Sequence, residues 1–297
     1  MTNKRFILAV NPFGGKKKAL EVLKRVTPVF ESSGAKLEIR ETEYAGHAGD
    51  MINQIDFSDW DGFCLVGGDG TLHEVLNGLL TRTDAAQIPI GCIPAGTGNS
   101  FMHDLNCLDP VEAARKILQG KTRPIDVAEI RMGSDTVYAF NVVGWGMATD
   151  INVTAEKVRW LGESRYTLVT LLHLLKLVRR PARLIIDGGE DEDEFIFAMG
   201  CNTQHTGKGM RLAPYAKLDD GLIDLVIVRN GSRWKLLKLF LKVFDGSHVS
   251  DPLVEYHQVK KYSIISREND ILNVDGELKG NTPFEVSVVP GAFHVFM

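Results

Sequence analysis

The first 120 residues alternate between short apolar runs and segments whose apolar residues recur every three or four positions. Unbroken apolar runs of about six residues are typical of buried strands, and the periodic segments are typical of helices with one buried face. Strands that alternate with helices indicate a parallel sheet covered by helices. The predicted strands are 5–10, 36–41, 62–66 and 88–93, and the predicted helices are 46–55, 71–80 and 111–118, with a further helix that begins near Ala19.

Beyond residue 125 the pattern changes to many short strand-like runs separated by turn residues. This pattern indicates an antiparallel sandwich or barrel. The runs are 126–132, 136–144, 183–189, 194–202, 221–229, 262–266, 271–278 and 284–289. Two predicted helices, 155–178 and 232–244, interrupt them, and we interpret the acidic stretch 188–194 as a solvated hairpin turn.

The change of pattern predicts two domains that meet near 121–124. The first, 1–122, is a Rossmann-like α/β domain, and the second, 123–284, is rich in antiparallel strands. The last strand, 285–297, is a candidate to return to the first domain. The fold class is therefore α/β plus β, with an antiparallel β-sandwich at the C-terminal side.

Composition excludes several classes of protein. The net charge of −4 gives no overall basic field that would attract nucleic acid, so we expect no nucleic-acid partner. The four cysteines lack metal-site or redox spacing, which predicts buried, reduced thiols. The first residues show no signal-peptide pattern, and the longest apolar helical segment, 168–178, is too short to cross a bilayer. We therefore expect a cytoplasmic protein that is not integral to a membrane.

Three glycine-rich loops follow predicted strands: NPFGG at 11–15, GGDGT at 67–71 and AGTGN at 95–99. Glycines at a strand end let backbone N–H groups approach a phosphate, and the next helix offers its positive N-terminus. Because ligands bind at the carboxyl ends of parallel strands, the three loops predict one phosphate-binding crevice. Near phosphates, Asp69 would hold a cation or accept a proton. The alternative for Asp69 is an N-cap of the following helix.

Other phosphate and metal motifs are absent from the sequence. It has no G-x-x-x-x-G-K-[ST] loop, no G-x-G-x-x-G after the first strand and no G-x-S-x-G elbow. His73-Glu74 begins like a zinc-protease motif, but Asn77 stands where the second histidine would be needed.

The glycine-rich segments resemble a known family. VGGDGTLHEVLNGL, with NPFGG before it and IPAGTGNS after it, is similar to the diacylglycerol-kinase-type lipid kinase catalytic domain, a superfamily that includes bacterial diacylglycerol kinases, sphingosine kinases and ceramide kinases. AGHAGDM, KLDDGLIDLVIV and VDGEL continue the resemblance in order and spacing, over nearly the whole chain. The segment 144–168 is similar to the matching segment of sphingosine and ceramide kinases.

The resemblance implies transfer of the γ-phosphoryl group of ATP to a lipid hydroxyl, with Mg²⁺ as cofactor and a nucleotide cleft between the domains. Such a transfer requires alignment and charge neutralisation more than covalent chemistry. The implied ATP-binding residues are Asn11, Pro12, Gly15, Thr42, Gly68, Asp69, Gly70, Thr71, Glu74, Thr97, Arg159 and Arg165. The two arginines would stabilise charge that develops on the γ-phosphate.

The resemblance offers two candidates for the base that takes the proton of the lipid hydroxyl. Bacterial members use the acids of a D-G-E motif, here Asp275 and Glu277, whereas sphingosine kinases use the acid that matches Asp69. The Asp-Gly pair is also a strong hairpin-turn signal.

The resemblance further implies a metal site and headgroup contacts. The magnesium site of the family matches Asp220 and the backbone carbonyls of Lys217 and Leu222. Asp150 matches an acid shared by sphingosine and ceramide kinases, and Asn152 replaces an acid that meets the lipid headgroup in sphingosine kinases. A neutral Asn152 would pair poorly with a cationic amine.

We therefore expect a lipid kinase for a sphingoid or ceramide-like acceptor, with diacylglycerol kinase as the alternative. Weaker alternatives are an NAD kinase and a catalytically silent nucleotide- or lipid-binding regulator. The basic amphipathic segment 232–244 is typical of helices that lie at a membrane surface, so peripheral membrane contact is expected. Bacterial relatives often pair, and a homodimer stays open.

Overall fold

The computed structural model describes residues 4–14, 17–158, 165–207 and 209–297, and only the backbone of residues 165 and 166. The chain forms two compact units. Unit 1 comprises Met1–Asp126 and Pro290–Met297, and unit 2 comprises Val127–Val289. The division thus falls a few residues after the predicted boundary at 121–124, and the last strand is divided at Pro290.

In its described residues, unit 1 has a parallel sheet and five helices. The strands are β1 (Arg5–Val10), β2 (Lys36–Glu41), β3 (Gly62–Gly67) and β4 (Ile90–Pro94), in the order β2-β1-β3-β4. The helices are α1 (Ala19–Ser33), α2 (His47–Gln54), α3 (Asp69–Leu80), α4 (Ser100–Asp104) and α5 (Pro110–Gln119). The final residues of the chain extend this sheet, since Val295 pairs with Ile90 in parallel.

Local sequence signals define α5 clearly. Asp109 caps its N-terminus by accepting the backbone N–H of Glu112, and Pro110 occupies the first turn, where no N–H donor is needed. Gly120 ends the helix at φ +75°, a left-handed conformation that suits glycine.

The strand order of unit 1 places a crevice. The chain leaves β1 for β2 on one side of the sheet and then crosses to β3 on the other side. Loops after β1 and β3 therefore diverge at a topological switch point, where open α/β sheets bind their ligands. The loops 11–14 and 67–71 lie at this point, and β4 brings the loop 95–99 to the same edge.

Unit 2 contains two antiparallel sheets. The first has the order β12-β11-β10-β7-β14-β15. Its strands are β7 (Val142–Gly146), β10 (Phe197–Cys201), β11 (Ile223–Val228), β12 (Glu255–Val259), β14 (Ile271–Val274) and β15 (Glu277–Asn281).

The second sheet joins β9, β8, β13 and β16 in that order, with β5 paired to β16 and to β6. Its strands are β5 (Thr122–Met132), β6 (Asp135–Ala139), β8 (Arg180–Ile186), β9 (Gly189–Phe195), β13 (Lys261–Ser266) and β16 (Phe284–Phe296). The helices of unit 2 are α6 (Met147–Lys157), α7 (Arg165–Lys176) and α8 (Arg233–Lys242), followed by a 3₁₀ turn at Ser247–Ser250.

The core of unit 2 lies between its sheets. Trp145 and Leu225 from the first sheet and Tyr262 and Phe284 from the second belong to one buried cluster. The ring centroids of Tyr262 and Phe284 lie 6.1 Å apart in an edge-to-face arrangement. Alternating inward-facing side chains of two sheets thus form a sandwich core, which confirms the antiparallel β-sandwich predicted from the sequence.

Several element predictions are wrong in detail. The run 271–278 divides into β14 and β15, with a turn at Asp275 and Gly276. The run 136–144 divides into β6 and β7, because the backbone at 140–142 turns its N–H groups towards the Asp275 carboxylate. The predicted helix 155–178 is two helices, of which α6 already begins at Met147 and ends at Lys157. The acidic stretch is not a turn: it forms the edge strand β9, and the turn is at 187–188.

Cys64, Cys92, Cys107 and Cys201 are all buried and free, as predicted. Within the described residues, every helix is too short or too polar to cross a bilayer.

Candidate functional site

Asn11 organises the loop after β1. Its Oδ1 accepts the backbone N–H groups of Phe13 and Gly14, each at 3.0 Å. Its Nδ2 donates to Thr71 Oγ1 at 3.1 Å, which ties this loop to the one after β3. Pro12 lies half-buried in the same turn. Asn11 therefore holds two of the glycine-rich loops together through both ends of its amide.

Glycines bring the loop after β3 into contact with the loop after β4. The carbonyl of Gly67 accepts the N–H groups of Ala95 at 2.8 Å and Gly96 at 3.2 Å. A Cβ on Gly68 would lie 2.9 Å from the Cα of Gly96, and a Cβ on Gly96 would lie 2.6 Å from the Cα of Gly68. No side chain fits between these backbones, so glycine at both positions allows the two loops to approach each other this closely.

Asp69 links the same two loops. It is the first residue of α3, and its carboxylate accepts the N–H of Ser100 at 2.9 Å and of Phe101 at 3.3 Å. Asp69 thus satisfies the first N–H groups of α4, instead of capping the helix that follows it. The side chain holds the GTGN loop against the N-terminus of α3, where Gly70 is exposed.

Asn99 closes the third loop from within. Its Oδ1 accepts the N–H of Gly96 at 3.1 Å, and its Nδ2 donates to the carbonyl of Gly96 at 3.0 Å. Asn99 itself lies at φ +51°, a conformation that asparagine tolerates better than most residues. Thr97, at the tip between them, is exposed. Sequence reasoning did not single out Asn99, although its place at the end of the GTGN motif was a usable signal.

Two further ATP candidates have structural contacts of their own. Glu74 Oε2 accepts the N–H of Ala48 at 3.3 Å, so it holds the N-terminus of α2 rather than the loop 67–71. Thr42 is buried just after β2, and its N–H donates to the carbonyl of Val10 at 2.8 Å. Gly15 and Arg159 lie outside the described residues, and the side chain of Arg165 is also outside them.

Asp275 connects the hairpin of β14 and β15 to the backbone between β6 and β7. It is 7% exposed and lies at φ +53° in the two-residue turn between β14 and β15, with Gly276 at φ +97°. Its carboxylate accepts the N–H groups of Phe140 at 3.2 Å and of Asn141 and Val142 at 2.9 Å each. These bonds engage the lone pairs of both oxygens, so Asp275 is poorly placed to take a proton from a substrate.

Glu277 has the opposite environment. It begins β15, pairs in register with Val274 and is exposed. Among the described residues no hydrogen bond or ion pair engages its carboxylate. Of the three candidate acids, Glu277 is thus the one whose carboxylate has no hydrogen-bond or ion-pair partner among the described residues, whereas Asp69 and Asp275 accept backbone N–H groups.

Asp150 is committed to an ion pair. Its Oδ1 lies 2.9 Å from Nη2 of Arg180, whose Nε lies 2.9 Å from Oδ1 of Asp270. Asp270 Oδ2 also accepts Trp145 Nε1 at 3.0 Å and Ser266 Oγ at 2.8 Å. The Arg180 side chain is only 16% exposed, so the pair is weakly screened by solvent. Sequence reasoning missed Arg180, which lies outside every motif.

Asn152 is 6% exposed and lies on the same helix as Asp150. Its Nδ2 donates to the backbone carbonyl of Gly276 at 2.7 Å. The structure therefore joins the expected headgroup residue to the D-G-E turn.

The expected metal residues lie in the loop before β11. Asp220 Oδ1 accepts the N–H of Leu222 at 3.2 Å, and Lys217 is exposed. Asp224 is fully buried: Oδ1 accepts from Tyr256 and Gln258, and Oδ2 lacks a partner among the described residues. Burial raises the pKa of the Asp224 carboxyl, and the charge of Asp220 adds to this shift. Carboxylate and carbonyl oxygens are the ligands that a hard cation prefers, but among the described residues no three histidines, cysteines or acids form a group that could hold a metal ion.

Unit 1 thus has the features of a nucleotide-binding α/β domain, with three interlocked glycine loops at a switch point, and unit 2 is a β-sandwich that displays an acid on a tight hairpin. Known families match both. The diacylglycerol kinase catalytic domain matches residues 5–130, and the YegS C-terminal NAD kinase beta sandwich-like domain matches residues 141–297. The chain belongs to the family of lipid kinases that includes the diacylglycerol kinases, a class of ATP-using phosphotransferases.

Individual relatives agree with this assignment. Sphingosine kinase 1 of Arabidopsis thaliana is 32% identical over 87% of this chain, and the match spans 64% of the plant protein's length. The diacylglycerol kinase of Bacillus subtilis is 28% identical over 99% of this chain and 96% of its own length. A crystal structure of a diacylglycerol kinase from Bacillus anthracis is 22% identical and superposes over 99% of this chain and 96% of its own, with a TM-score of 0.75, which shows the shared fold.

Proposed function

We propose that this protein transfers the γ-phosphoryl group of ATP to a hydroxyl of a membrane lipid whose headgroup is uncharged, such as a ceramide or a diacylglycerol. The observation that carries the acceptor class is the ion pair of Asp150 with Arg180. A guanidinium beside the acid offsets its attraction for a cationic amine, whereas a neutral hydroxyl can still donate to the carboxylate. Asn152 is neutral, and its amide donates to the Gly276 carbonyl. Neither headgroup position therefore offers an unpaired carboxylate.

In this proposal unit 1 binds ATP. The N–H groups of 68–71 and 97–98 and the N-terminus of α3 are the donors for the phosphates. Asn11 and Asp69 act by holding the loops in register, as their contacts with Thr71 and Ser100 indicate. Preorganised N–H groups stabilise charge without rearranging during the reaction, which is the main requirement of phosphoryl transfer.

Unit 2 supplies the base. The carboxylate of Glu277 takes the proton of the lipid hydroxyl as that oxygen forms its bond to the γ-phosphorus and the bond to the β–γ bridging oxygen breaks. Asp275 holds the hairpin by its three backbone contacts and is a positioning residue. The lack of a partner for its carboxylate among the described residues supports Glu277, over Asp69 and Asp275, as the base in this proposal.

Mg²⁺ is the proposed metal. Asp220 and the backbone carbonyls of Lys217 and Leu222 would hold one ion, and Asp224 supplies a buried acid close by. When bound, the ion would neutralise carboxylate charge there and hold the loop before β11, and Mg²⁺ that accompanies ATP would neutralise its phosphates.

The exposed apolar side chains of α7 and α8 support contact with a membrane. Trp234 is 76% exposed and Leu241 65% exposed on α8, and Leu175 is 61% exposed on α7. The two helices contact each other within unit 2. Because α8 also carries Lys235, Lys238 and Lys242, its outer face is both apolar and basic, as in helices that lie at a membrane surface. Its buried side, Leu236 and Leu239, packs in the core.

The test is transfer of label from γ-labelled ATP, with Mg²⁺, to ceramide, diacylglycerol, sphingosine and NAD in parallel micelles. We expect labelled ceramide or diacylglycerol and little labelled sphingosine. Preferential labelling of sphingosine would overturn the uncharged acceptor, and labelling of NAD alone would overturn the lipid kinase. ATP binding without transfer to any acceptor would support the regulator instead.

A further inference from the structure

The hairpin that displays Glu277 has one carbonyl that its own strands cannot satisfy. Val274 pairs with Glu277, so Asp275 and Gly276 are the two residues of the turn. Their positive φ angles, +53° and +97°, are those of the tight turn that Asp-Gly favours. The carbonyl of Gly276 lies outside the strand ladder, so its hydrogen-bond donor comes from another element.

Asn152 is that donor. Its Nδ2 lies 2.7 Å from the Gly276 oxygen, and the asparagine is 6% exposed. On the other side of Gly276, its N–H donates to Asn273 Oδ1 at 2.8 Å. Both peptide groups of this glycine are therefore held by asparagine side chains, one from the hairpin itself and one from α6, which packs against β14 and β15.

The bond from Asn152 fixes the direction of Glu277. The Gly276 carbonyl belongs to the planar peptide that ends at the Cα of Glu277. Holding its oxygen sets the tilt of that plane and so the direction from which the Glu277 side chain leaves the backbone. Only a donor can serve, because a carboxylate at position 152 would place two acceptors against each other.

We propose that Asn152 is a positioning residue for the phosphoryl transfer: its amide clamps the Gly276 carbonyl and aims the Glu277 carboxylate at the acceptor hydroxyl. The proposal rests on the proposed function, with Glu277 as the base. It replaces the expectation that Asn152 meets the lipid headgroup, because the amide of this nearly buried side chain donates to the hairpin.

The experiment is a double-mutant cycle of Asn152→Ala and Glu277→Gln in the full chain, read as kcat and KM for ATP and for diacylglycerol. We expect Asn152→Ala to lower kcat about tenfold to a hundredfold, the scale of a small misplacement of a catalytic group, with both KM values nearly unchanged. In the Glu277→Gln background the same change lowers kcat by less than about twofold, because residues that act as a unit are not additive.

Asn281→Ala is the matched control. Asn281 lies at the far end of the same hairpin and makes the same kind of bond, Nδ2 to the carbonyl of Asn269 at 3.2 Å. It should leave kcat within about twofold, within the range of surface substitutions. Asn152→Asp, which keeps the shape and removes the donor, should lower kcat at least as much as Asn152→Ala. Asn152→Ser replaces Asn152→Ala in the cycle if the alanine variant does not fold.

The outcomes separate the possible failures. Normal kcat in Asn152→Ala, with Glu277→Gln inactive, would overturn the clamp alone. A raised KM for diacylglycerol at unchanged kcat would return Asn152 to the headgroup. Equal losses from Asn152→Ala in both backgrounds would assign it a general structural role. Normal turnover in Glu277→Gln would overturn the base assignment, and with it this proposal.

Discussion

At the scale of single residues, the candidate site depends on two positions that lack a side chain. Gly68 and Gly96 bring two backbones so close that a methyl group on either one would meet a Cα within 3 Å. Asn11, Asp69 and Asn99 then hold these loops by bonds to backbone N–H groups. The N–H groups left over are the ones that a phosphate can use.

Gly96→Ala tests this contact. Its Cβ would lie 2.6 Å from the Cα of Gly68, so one loop must move. We expect a loss of about 1–3 kcal/mol in unfolding free energy, typical of overpacking, and about tenfold or more weaker ATP binding. Urea unfolding and ATP titration measure both. Gly189→Ala is the control, since its Cβ would make only an ordinary contact, 3.5 Å from a carbonyl. Unchanged ATP binding in Gly96→Ala would show that the loop contact is not needed.

The sequence identified most residues of the candidate site and few of their partners. Asp69, Asp275 and Glu277 follow from short motifs, which are readable because their neighbours are in sequence. The partner of Asp150 is Arg180, 30 positions away, and the partner of Asn152 is 124 positions away. Such pairs form only when distant elements pack against each other, so local sequence spacing does not predict them. The roles of Asp150 and Asn152 were therefore predicted without knowledge of their partners.

At the scale of elements, hydrophobic periodicity predicted best those strands and helices that are stabilised mainly by burial of apolar side chains. The buried strands β1 and β3 and the helices α2, α3 and α5 lie close to their predicted bounds. The acidic strand β9 was missed because its stability comes from pairing along β8 and from ion pairs such as Arg229 with Asp191. Cross-strand partners of this kind are not visible in local hydrophobic periodicity.

The outer face of α8 supports a prediction at the same scale. Replacing Trp234 and Leu241 together by serine removes the two most exposed apolar side chains of the helix. We expect binding to vesicles that contain anionic lipid to fall about tenfold or more, with turnover of a dispersed short-chain lipid unchanged. A flotation assay measures the bound fraction.

Leu20→Ser, at an exposed leucine of α1 in unit 1, is the control for a general loss of apolar surface. Vesicle binding that stays at the wild-type level in the Trp234 and Leu241 variant would exclude α8 as the membrane contact.

At the scale of the whole molecule, the pH dependence of stability contains one identifiable contribution. His248 is 1% exposed, and its Nε2 lies 3.0 Å from the Leu212 carbonyl. Burial lowers its pKa below the ordinary 6.5, more than the Leu212 and Lys242 carbonyls and Asp245 raise it. The unfolded chain therefore takes up this proton more readily. The contribution is fully present above pH 6.5 and is lost as pH falls through the folded-state pKa.

His248→Gln keeps a donor for Leu212 and removes the titration. We expect wild type to lose more unfolding free energy than this variant between pH 7.5 and pH 5.5. Urea unfolding at both values measures the difference, and the other histidines and acids, which both proteins share, cancel. Equal losses would show that His248 does not titrate between the folded and unfolded states in this range.

The division into an α/β unit and a β-sandwich could be predicted because the hydrophobic period changes once, near residue 125. The return of the last strand to the first unit depends on long-range contacts, such as the pairing of Val295 with Ile90 and the bond from the Met297 N–H to the Lys121 carbonyl. The family motifs, and not the hydrophobic pattern, made the lipid kinase prediction, since the same folds carry other reactions.

The central claim is that Glu277 is the base of a lipid kinase. The most direct test is kcat of Glu277→Gln for transfer from labelled ATP to diacylglycerol in mixed micelles, with ATP binding measured on the same sample. Glu194→Gln, an exposed acid of β9, is the control. We predict that kcat of Glu277→Gln falls by about 10²–10⁴-fold while ATP binding and the control stay at wild-type levels. Turnover near the wild-type value in Glu277→Gln would contradict the account.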